Sequence, residues 1–168
     1  MKRWIGIAVL IVLGYLLQTT LLQGVQIAGV APNLLIILLV AVSYRSGKLG
    51  GLVAGFLTGL LIDLVEGDLI GLYALIYMVI GYLLGFAHKI YYYDDTTIPL
   101  FLVAASDFLY NFMIYVLGFL LRNRLHFFFY LRTIILPELL YTVVLSVFIY
   151  RLLHKLLQKL ETKNQEEA

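Results

Sequence analysis

Three acidic residues stand in or beside apolar stretches of the sequence and are the first candidates for chemistry. They are Asp63, Asp107 and Glu138. A charged side chain within a membrane-spanning helix is costly and usually functional. At 100° per residue, Asn111 lies within about 60° of Asp107, so these two side chains form a polar stripe on one helix face. The stripe predicts either an ion or substrate relay, or a hydrogen-bonded acid that holds helices in register.

The residues needed for other reaction chemistries are missing. Acyl and phosphoryl transfer need a nucleophile beside a base, and the chain contains no Cys and no serine elbow motif. His88, His126 and His154 stand at three separate span ends, where they cannot share a metal ion or a proton relay. Zinc and calcium ligand spacings do not occur either. We therefore expect no enzymatic activity, no metal and no cofactor.

The composition defines the solvent in which these residues must be positioned. Of the 168 residues 62% are hydrophobic and 13% are charged, and the mean hydropathy is +0.97. Soluble domains are about 45 to 50% apolar and about 25% charged, so a soluble enzyme is excluded and membrane lipids are the expected surroundings. The net charge of +2 is too small for a nucleic-acid surface.

Apolar segments separated by Gly, Pro and charged residues predict an all-α, polytopic integral membrane protein. A crossing takes about 20 helical residues, which leaves room for six transmembrane helices in one bundle over residues 1–168. The expected spans are about 4–22, 33–44, 49–65, 69–87, 98–121 and 134–153. Residues 154–168 follow as a basic cytoplasmic tail.

The distribution of basic residues predicts the orientation. With a cytoplasmic amino terminus, nine of the twelve Lys and Arg residues fall on the inner side, as the positive-inside rule requires, and both termini are cytoplasmic. The outer connections differ in sign. One holds Asp63, Glu66 and Asp68, and the other is flanked by Arg122, Arg124 and Arg132. Either these charges pair with each other and contact a partner, or they lie on two separate loops that contact only solvent and lipid headgroups.

Glycines recur at every fourth position of the third expected span. They are Gly47, Gly51, Gly55 and Gly59. Because residues four apart share one face of a helix, the repeat predicts a small-residue surface that lets another backbone approach closely. The partner is either another span of the same chain or a helix of another protein.

The order of several motifs resembles the MreD family of rod shape-determining proteins. The motifs are Pro32-Asn33-Leu34-Leu35, the run from Gly55 to Leu64, then Gly67, Gly71 and Leu72, with weaker support from Pro137-Glu138 and Tyr141. The resemblance implies a non-enzymatic scaffold of the bacterial inner membrane that serves cell elongation and peptidoglycan synthesis. It implies a bitopic MreC-type partner and, indirectly, MreB filaments and the cell-wall polymerases of the RodA and penicillin-binding types.

A second resemblance supplies the alternative function. The MreD family is distantly similar to the six-helix substrate-binding S-components of energy-coupling-factor transporters, which bind a vitamin in an outward cavity. The resemblance implies S-component-like packing. In those components the small-residue face lies on the first span, whereas here Gly6, Ala8 and Gly14 are sparse and the glycine repeat lies on the third. A vitamin-binding transporter component is therefore the less favoured interpretation.

Overall fold

The computed structural model is built of helices. It describes residues 2–22, 24, 26, 29–66, 70–90, 97–122 and 127–166, and this part of the chain contains no β-strand. The α-helices are α1 Lys2–Leu17, α2 Leu34–Val65, α3 Leu72–Leu84, α4 Thr97–Arg122, α5 Phe127–Tyr130 and α6 Leu136–Glu166. Three tighter or wider helical segments extend them. The π-helix Gln18–Leu22 continues α1, the 3-10 helix Gly85–Ile90 continues α3, and the π-helix Leu131–Ile135 joins α5 to α6.

Within the described residues, five helices are long and apolar enough to cross a membrane, judged by length and composition. They are Trp4–Leu22, Leu34–Val65, Leu72–Lys89, Thr97–Leu117 and Phe127–Ile149. The all-helical membrane class is therefore as the sequence predicts, but six separate spans are not observed. The difference lies in α2, because the segments predicted as 33–44 and 49–65 follow each other in one 32-residue helical element with no loop between them.

The chain nevertheless reverses direction within α2, at Gly47. This residue has φ 75° and ψ −169°, a left-handed conformation that interrupts the helix and that only glycine adopts without strain. A Cβ placed on Gly51 would lie 2.7 Å from Ser43 Oγ, although residues eight apart in a continuous helix are about 12 Å apart. The stretches 34–46 and 48–65 are therefore the two arms of a tight helical hairpin.

The first arm of this hairpin is the centre of the bundle. Every residue from Leu34 to Tyr44 is buried, and several are fully so. Helix α2 contacts α1, α3, α4 and α6, so its first arm is enclosed by protein. Such a helix needs no polar face, which explains why the segment is apolar on all sides.

Pro137 explains the π-helical segment that leads into α6. Proline has no amide hydrogen, so it cannot donate to the carbonyl group four residues earlier in the helix. The helix compensates by widening: the amide of Leu136 donates to the carbonyl oxygen of Leu131, five residues back. Such single-turn widenings often occur at functional sites, and the partly buried acid Glu138 follows immediately.

Candidate functional site

The glycine repeat lies against the backbone of α3. A Cβ on Gly55 would lie 2.7 Å from the carbonyl carbon of Tyr77, and a Cβ on Gly59 would collide with the backbone of Tyr73. Gly51 meets Gly81 in the same way. Glycines four residues apart along α2 thus contact residues four apart along α3 in the reverse order, as expected for two antiparallel helices in close contact.

Gly47 continues the same register, since a Cβ on Gly85 would lie 2.7 Å from the carbonyl carbon of Gly47, but its own conformation differs from that of the other three glycines. It is the turn of the hairpin, and a Cβ there would meet only the ring of His88 at 3.4 Å, an ordinary contact. Sequence analysis missed the glycines on the opposite side, since Gly81 on α3 and Gly85 at the start of the 3-10 helix supply the other half of the close approach. Their own four-residue spacing was the signal that could have identified them.

Asp63 caps α3 from the end of α2. Its side chain is 2% exposed, and its two carboxylate oxygens accept hydrogen bonds from the amides of Tyr73 at 3.0 Å and Ala74 at 2.8 Å. The N-cap position itself is Gly71, which offers no side chain. A carboxylate at a helix N-terminus satisfies free amides and interacts favourably with the helix dipole.

The polar stripe of α4 faces the protein interior. Asp107 is 0% exposed and Asn111 is 3% exposed. The Asn111 side-chain amide donates to the backbone carbonyl oxygen of Asp107, 3.1 Å away, and it is near enough to the Glu138 carboxyl group on α6 to interact with it. Within the described part of the chain, neither carboxylate oxygen of Asp107 has a hydrogen-bond partner.

A second group of polar contacts joins the start of α2 to α3 and α6. The side-chain oxygen of Asn33 accepts from the amide of Ile36 at 3.2 Å and from the Tyr77 hydroxyl at 3.3 Å. The backbone amide of Asn33 donates a hydrogen bond to Thr142 Oγ1 at 3.0 Å. The Tyr77 ring lies 5.3 Å from that of Tyr110, on the same helix as Asp107.

We call Asn33, Tyr77, Asp107, Asn111, Glu138 and Thr142 the buried polar cluster. It draws on helices α2, α3, α4 and α6, and sequence analysis identified only its three members Asp107, Asn111 and Glu138. The remaining signals were available but weak: Asn33 precedes an apolar run, as an N-cap does, and Thr142 stands four residues from both Glu138 and Ser146, on one face of the last span.

The structure describes only some of the residues that carry the predicted outer charges. Glu66 is exposed and accepts a 2.7 Å hydrogen bond from the Tyr15 hydroxyl on α1. Arg132 is exposed as well. Asp68, Arg124 and the side chain of Arg122 lie outside the described residues, so the predicted contact between the two outer connections stays a prediction.

The described residues contain no cluster of three His, Cys, Asp or Glu side chains that could hold a metal ion. His88 instead contacts the backbone, with Nδ1 2.9 Å from the carbonyl oxygen of Tyr44.

The family model described as rod shape-determining protein MreD matches residues 1–160. The chain belongs to the MreD family. The match covers almost the whole chain, so the resemblance carried by residues 32–72 is confirmed at full length. Membership in MreD assigns the protein to rod-shape determination and, with its apolar helices, to a membrane.

No curated protein and no solved structure gives a significant match to the chain. The similarity of this MreD protein to the substrate-binding S-components therefore stays a prediction.

Proposed function

We propose that this MreD protein is a non-enzymatic scaffold of the cell-elongation machinery that holds a bitopic MreC-type partner in the inner membrane. Through that partner it serves MreB filaments and the RodA-type and penicillin-binding polymerases of the cell wall. The observation that carries the proposal is the family match over residues 1–160. A bundle with fixed internal packing and apolar outer faces is suited to orienting another membrane helix.

The partner helix would lie on the outward face of α6. The span Phe127–Ile149 is only 17% buried within the bundle, compared with 44% for the span windows of α2 and α3. Leu140, Val144 and Phe148 repeat every fourth residue on this face and are all exposed. Because lipid is as apolar as these side chains, close packing rather than the hydrophobic effect would supply the affinity.

The outer charges would orient the partner's outer domain. Glu66 and Arg132 are exposed, and Asp68, Arg122 and Arg124 lie near them in sequence. An exposed ion pair contributes about 0 to 1 kcal/mol, so these charges would mainly affect orientation and association rate.

Copurification of an affinity-tagged partner tests the interface. The double variant Glu66→Lys, Asp68→Lys is expected to weaken capture of the partner several-fold, and added salt should change the extent of the loss. The control is Glu161→Lys, Glu166→Lys, which changes the net charge equally at the cytoplasmic end of α6 and should not affect capture. Val144→Trp should abolish capture while the bundle stays folded, because it adds bulk to the proposed contact face.

Undiminished capture in both the charge variant and Val144→Trp would contradict this interface. Copurification of a small molecule in place of a bitopic protein would contradict the scaffold function and favour the transporter component.

We further propose that α2 crosses the membrane twice, which gives six crossings and two cytoplasmic termini. The reversal at Gly47 and the nine-to-three distribution of basic residues support this topology. The first arm is short for a crossing, about 20 Å long for 13 residues. Local thinning of the bilayer or tilting would accommodate it.

Cysteine labelling distinguishes six crossings from five, and the absence of native Cys makes each single substitution specific. Gln26 precedes α2 in the chain and Ile70 follows it, and both side chains are exposed. We expect both Gln26→Cys and Ile70→Cys to react with a membrane-impermeant maleimide added outside the cell. Leu49→Cys, which is 77% exposed beside the hairpin turn, should react only after the membrane is permeabilised. If Gln26→Cys and Ile70→Cys label from opposite sides, α2 is a single crossing.

A further inference from the structure

Three helix ends meet at the hairpin turn of α2. A Cβ placed on Gly50 would lie 3.9 Å from Cη2 of Trp4, near the start of α1. A Cβ placed on Gly85, where the 3-10 helix continues α3, would collide with the backbone of Lys48. The start of α1, the turn of α2 and the end of α3 therefore form one surface at the same end of the bundle.

The charged residues that the structure describes at this end are all basic. From the contact between Asn33 and Thr142, the first arm of α2 and helix α6 continue in the same direction, and Ile149 packs against the core that this arm forms. Residues of α6 after Ile149 therefore lie at the same end as the hairpin turn. The basic residues of this end, as far as position 155, are Lys2, Arg3, Arg45, Lys48, Lys89, Arg151 and Lys155. Asp94 and Asp95 lie outside the described residues, and counting them leaves seven basic residues against two acidic ones.

Lys48 is fixed at this surface by both its backbone and its side chain. Its backbone lies against Gly85, and its Nζ lies 3.6 Å from the centroid of the Phe86 ring, which is a cation–π contact. A lysine ammonium group has three donors and no acceptor, and the ring covers only one side of it. The remaining N–H groups can therefore donate to an anion. A charge that is already held in place loses less entropy when it binds one.

Exposed apolar side chains surround this charge. They are Trp4, Leu49 and Phe86, and each belongs to a helix that is long and apolar enough to cross a membrane. Tryptophan is enriched where a membrane meets water. A ligand that matches this surface must carry a negative group directly beside hydrocarbon. An anionic phospholipid has this structure, whereas a free phosphate ion would leave the apolar side chains without a contact.

We propose that the hairpin turn of α2 binds an anionic phospholipid, with the Lys48 ammonium group on the lipid phosphate and Trp4, Leu49 and Phe86 against its acyl chains. Lys89, exposed on the same 3-10 helix as Phe86, adds a second positive charge. Basic pockets between membrane-spanning helices are known to hold such headgroups. The bound lipid would bridge α1, α2 and α3 where the chain reverses. This site requires no MreC-type partner, so it can fail or hold independently of the scaffold function.

Quenching of Trp4 by brominated lipids tests the site on the full chain. Trp4 is the only tryptophan, so its fluorescence reports on this surface alone. The protein is reconstituted into vesicles of phosphatidylcholine and phosphatidylglycerol, with bromine on the acyl chains of one of the two lipids at a time. We expect brominated phosphatidylglycerol to quench Trp4 several-fold more strongly than brominated phosphatidylcholine at the same mole fraction. Equal quenching by the two lipids, a result that needs no variant, would overturn the proposal.

Substitutions distinguish a defined site from a general attraction to the basic end. One lysine near an anionic membrane surface contributes about a factor of five in affinity, so Lys48→Gln should reduce the preference for phosphatidylglycerol about five-fold. Lys48→Arg keeps the charge and should retain most of the preference. The control Lys155→Gln removes an equal charge from an exposed position on α6 at the same end and should have little effect on Trp4.

Two results with these proteins would overturn the site. Equal losses of preference in Lys48→Gln and Lys155→Gln would show a diffuse layer of lipid attracted by the net charge. Loss of the wild-type preference on adding inorganic phosphate at constant ionic strength would show that the surface recognises the phosphate group alone.

Discussion

Gly59→Leu is expected to destroy the folded bundle. A Cβ at this position would collide with the backbone of Tyr73 and Ala74 on α3. Backbone atoms cannot rotate away as a side chain does, so α2 and α3 would have to separate along their whole contact. Overpacking of a well-packed core costs typically 1 to 3 kcal/mol, and we expect more than about 3 kcal/mol here because the obstacle is backbone. Gly55→Leu, which faces the backbone of Tyr77 and Met78, should behave in the same way.

Two other glycines provide graded controls for this prediction. Gly24 has no atom within 4 Å of a Cβ placed on it, so Gly24→Leu should change stability by less than about 0.5 kcal/mol. A Cβ placed on Gly14 would lie 2.8 Å from the end of the Leu38 side chain. Because that side chain can move, the loss of stability in Gly14→Ala should lie between those of Gly24→Leu and Gly59→Leu. Unfolding in a detergent titration measures all four variants. Equal stability of Gly59→Leu and Gly24→Leu would show that the observed contact between α2 and α3 is not needed for folding.

Asp63→Ala is expected to cause the largest loss of stability among the polar substitutions. It removes the acceptor of the Tyr73 and Ala74 amides, which are then left unpaired at the buried start of α3. Hydrogen bonds to a charged group contribute about 1.5 to 3 kcal/mol each, so we expect a loss of about 3 kcal/mol or more. Asp63→Asn keeps one carbonyl oxygen and should lose about half as much.

The control for Asp63 is Glu66→Ala, three residues later. Glu66 is exposed and makes its hydrogen bond to the Tyr15 hydroxyl at the surface, so its loss should cost less than about 1 kcal/mol. Hydrogen exchange provides a local measurement, since Asp63→Ala should speed exchange at Tyr73 and Ala74 before it affects α4. Matching unfolding curves for Asp63→Ala and Glu66→Ala would rule out the capping role.

The case of Gly47 shows why sequence spacing predicted a packing surface but not its limits. The repeat of Gly47, Gly51, Gly55 and Gly59 indicates a helix face without side chains, because periodicity and the lack of a Cβ are local properties. The same spacing does not distinguish a glycine on a helix face from one in a turn. That difference appears only in the φ of 75° at Gly47, which depends on how the two arms of α2 pack.

The buried polar cluster shows the same division between local and tertiary information. Hydropathy alone predicts a membrane protein, and the helical period alone places Asp107 and Asn111 on one face. Their association with Glu138, Tyr77 and Asn33 was decided by the tertiary structure. Asn33 and Thr142, which hydrogen bond to each other, are separated by 109 positions in the chain, and no local pattern relates residues so far apart.

The sequence by itself therefore determined the membrane surroundings, the helical class, the family and the presence of acidic residues within apolar spans. The tertiary structure decided which backbone each glycine meets, which helix Asp63 caps and which distant polar residues meet, such as Asn33 and Thr142. The physical reason is that burial and periodicity follow from each residue and its near neighbours, whereas a contact between helices depends on the relative position of two segments. That position is set by the packing of the whole bundle around the first arm of α2.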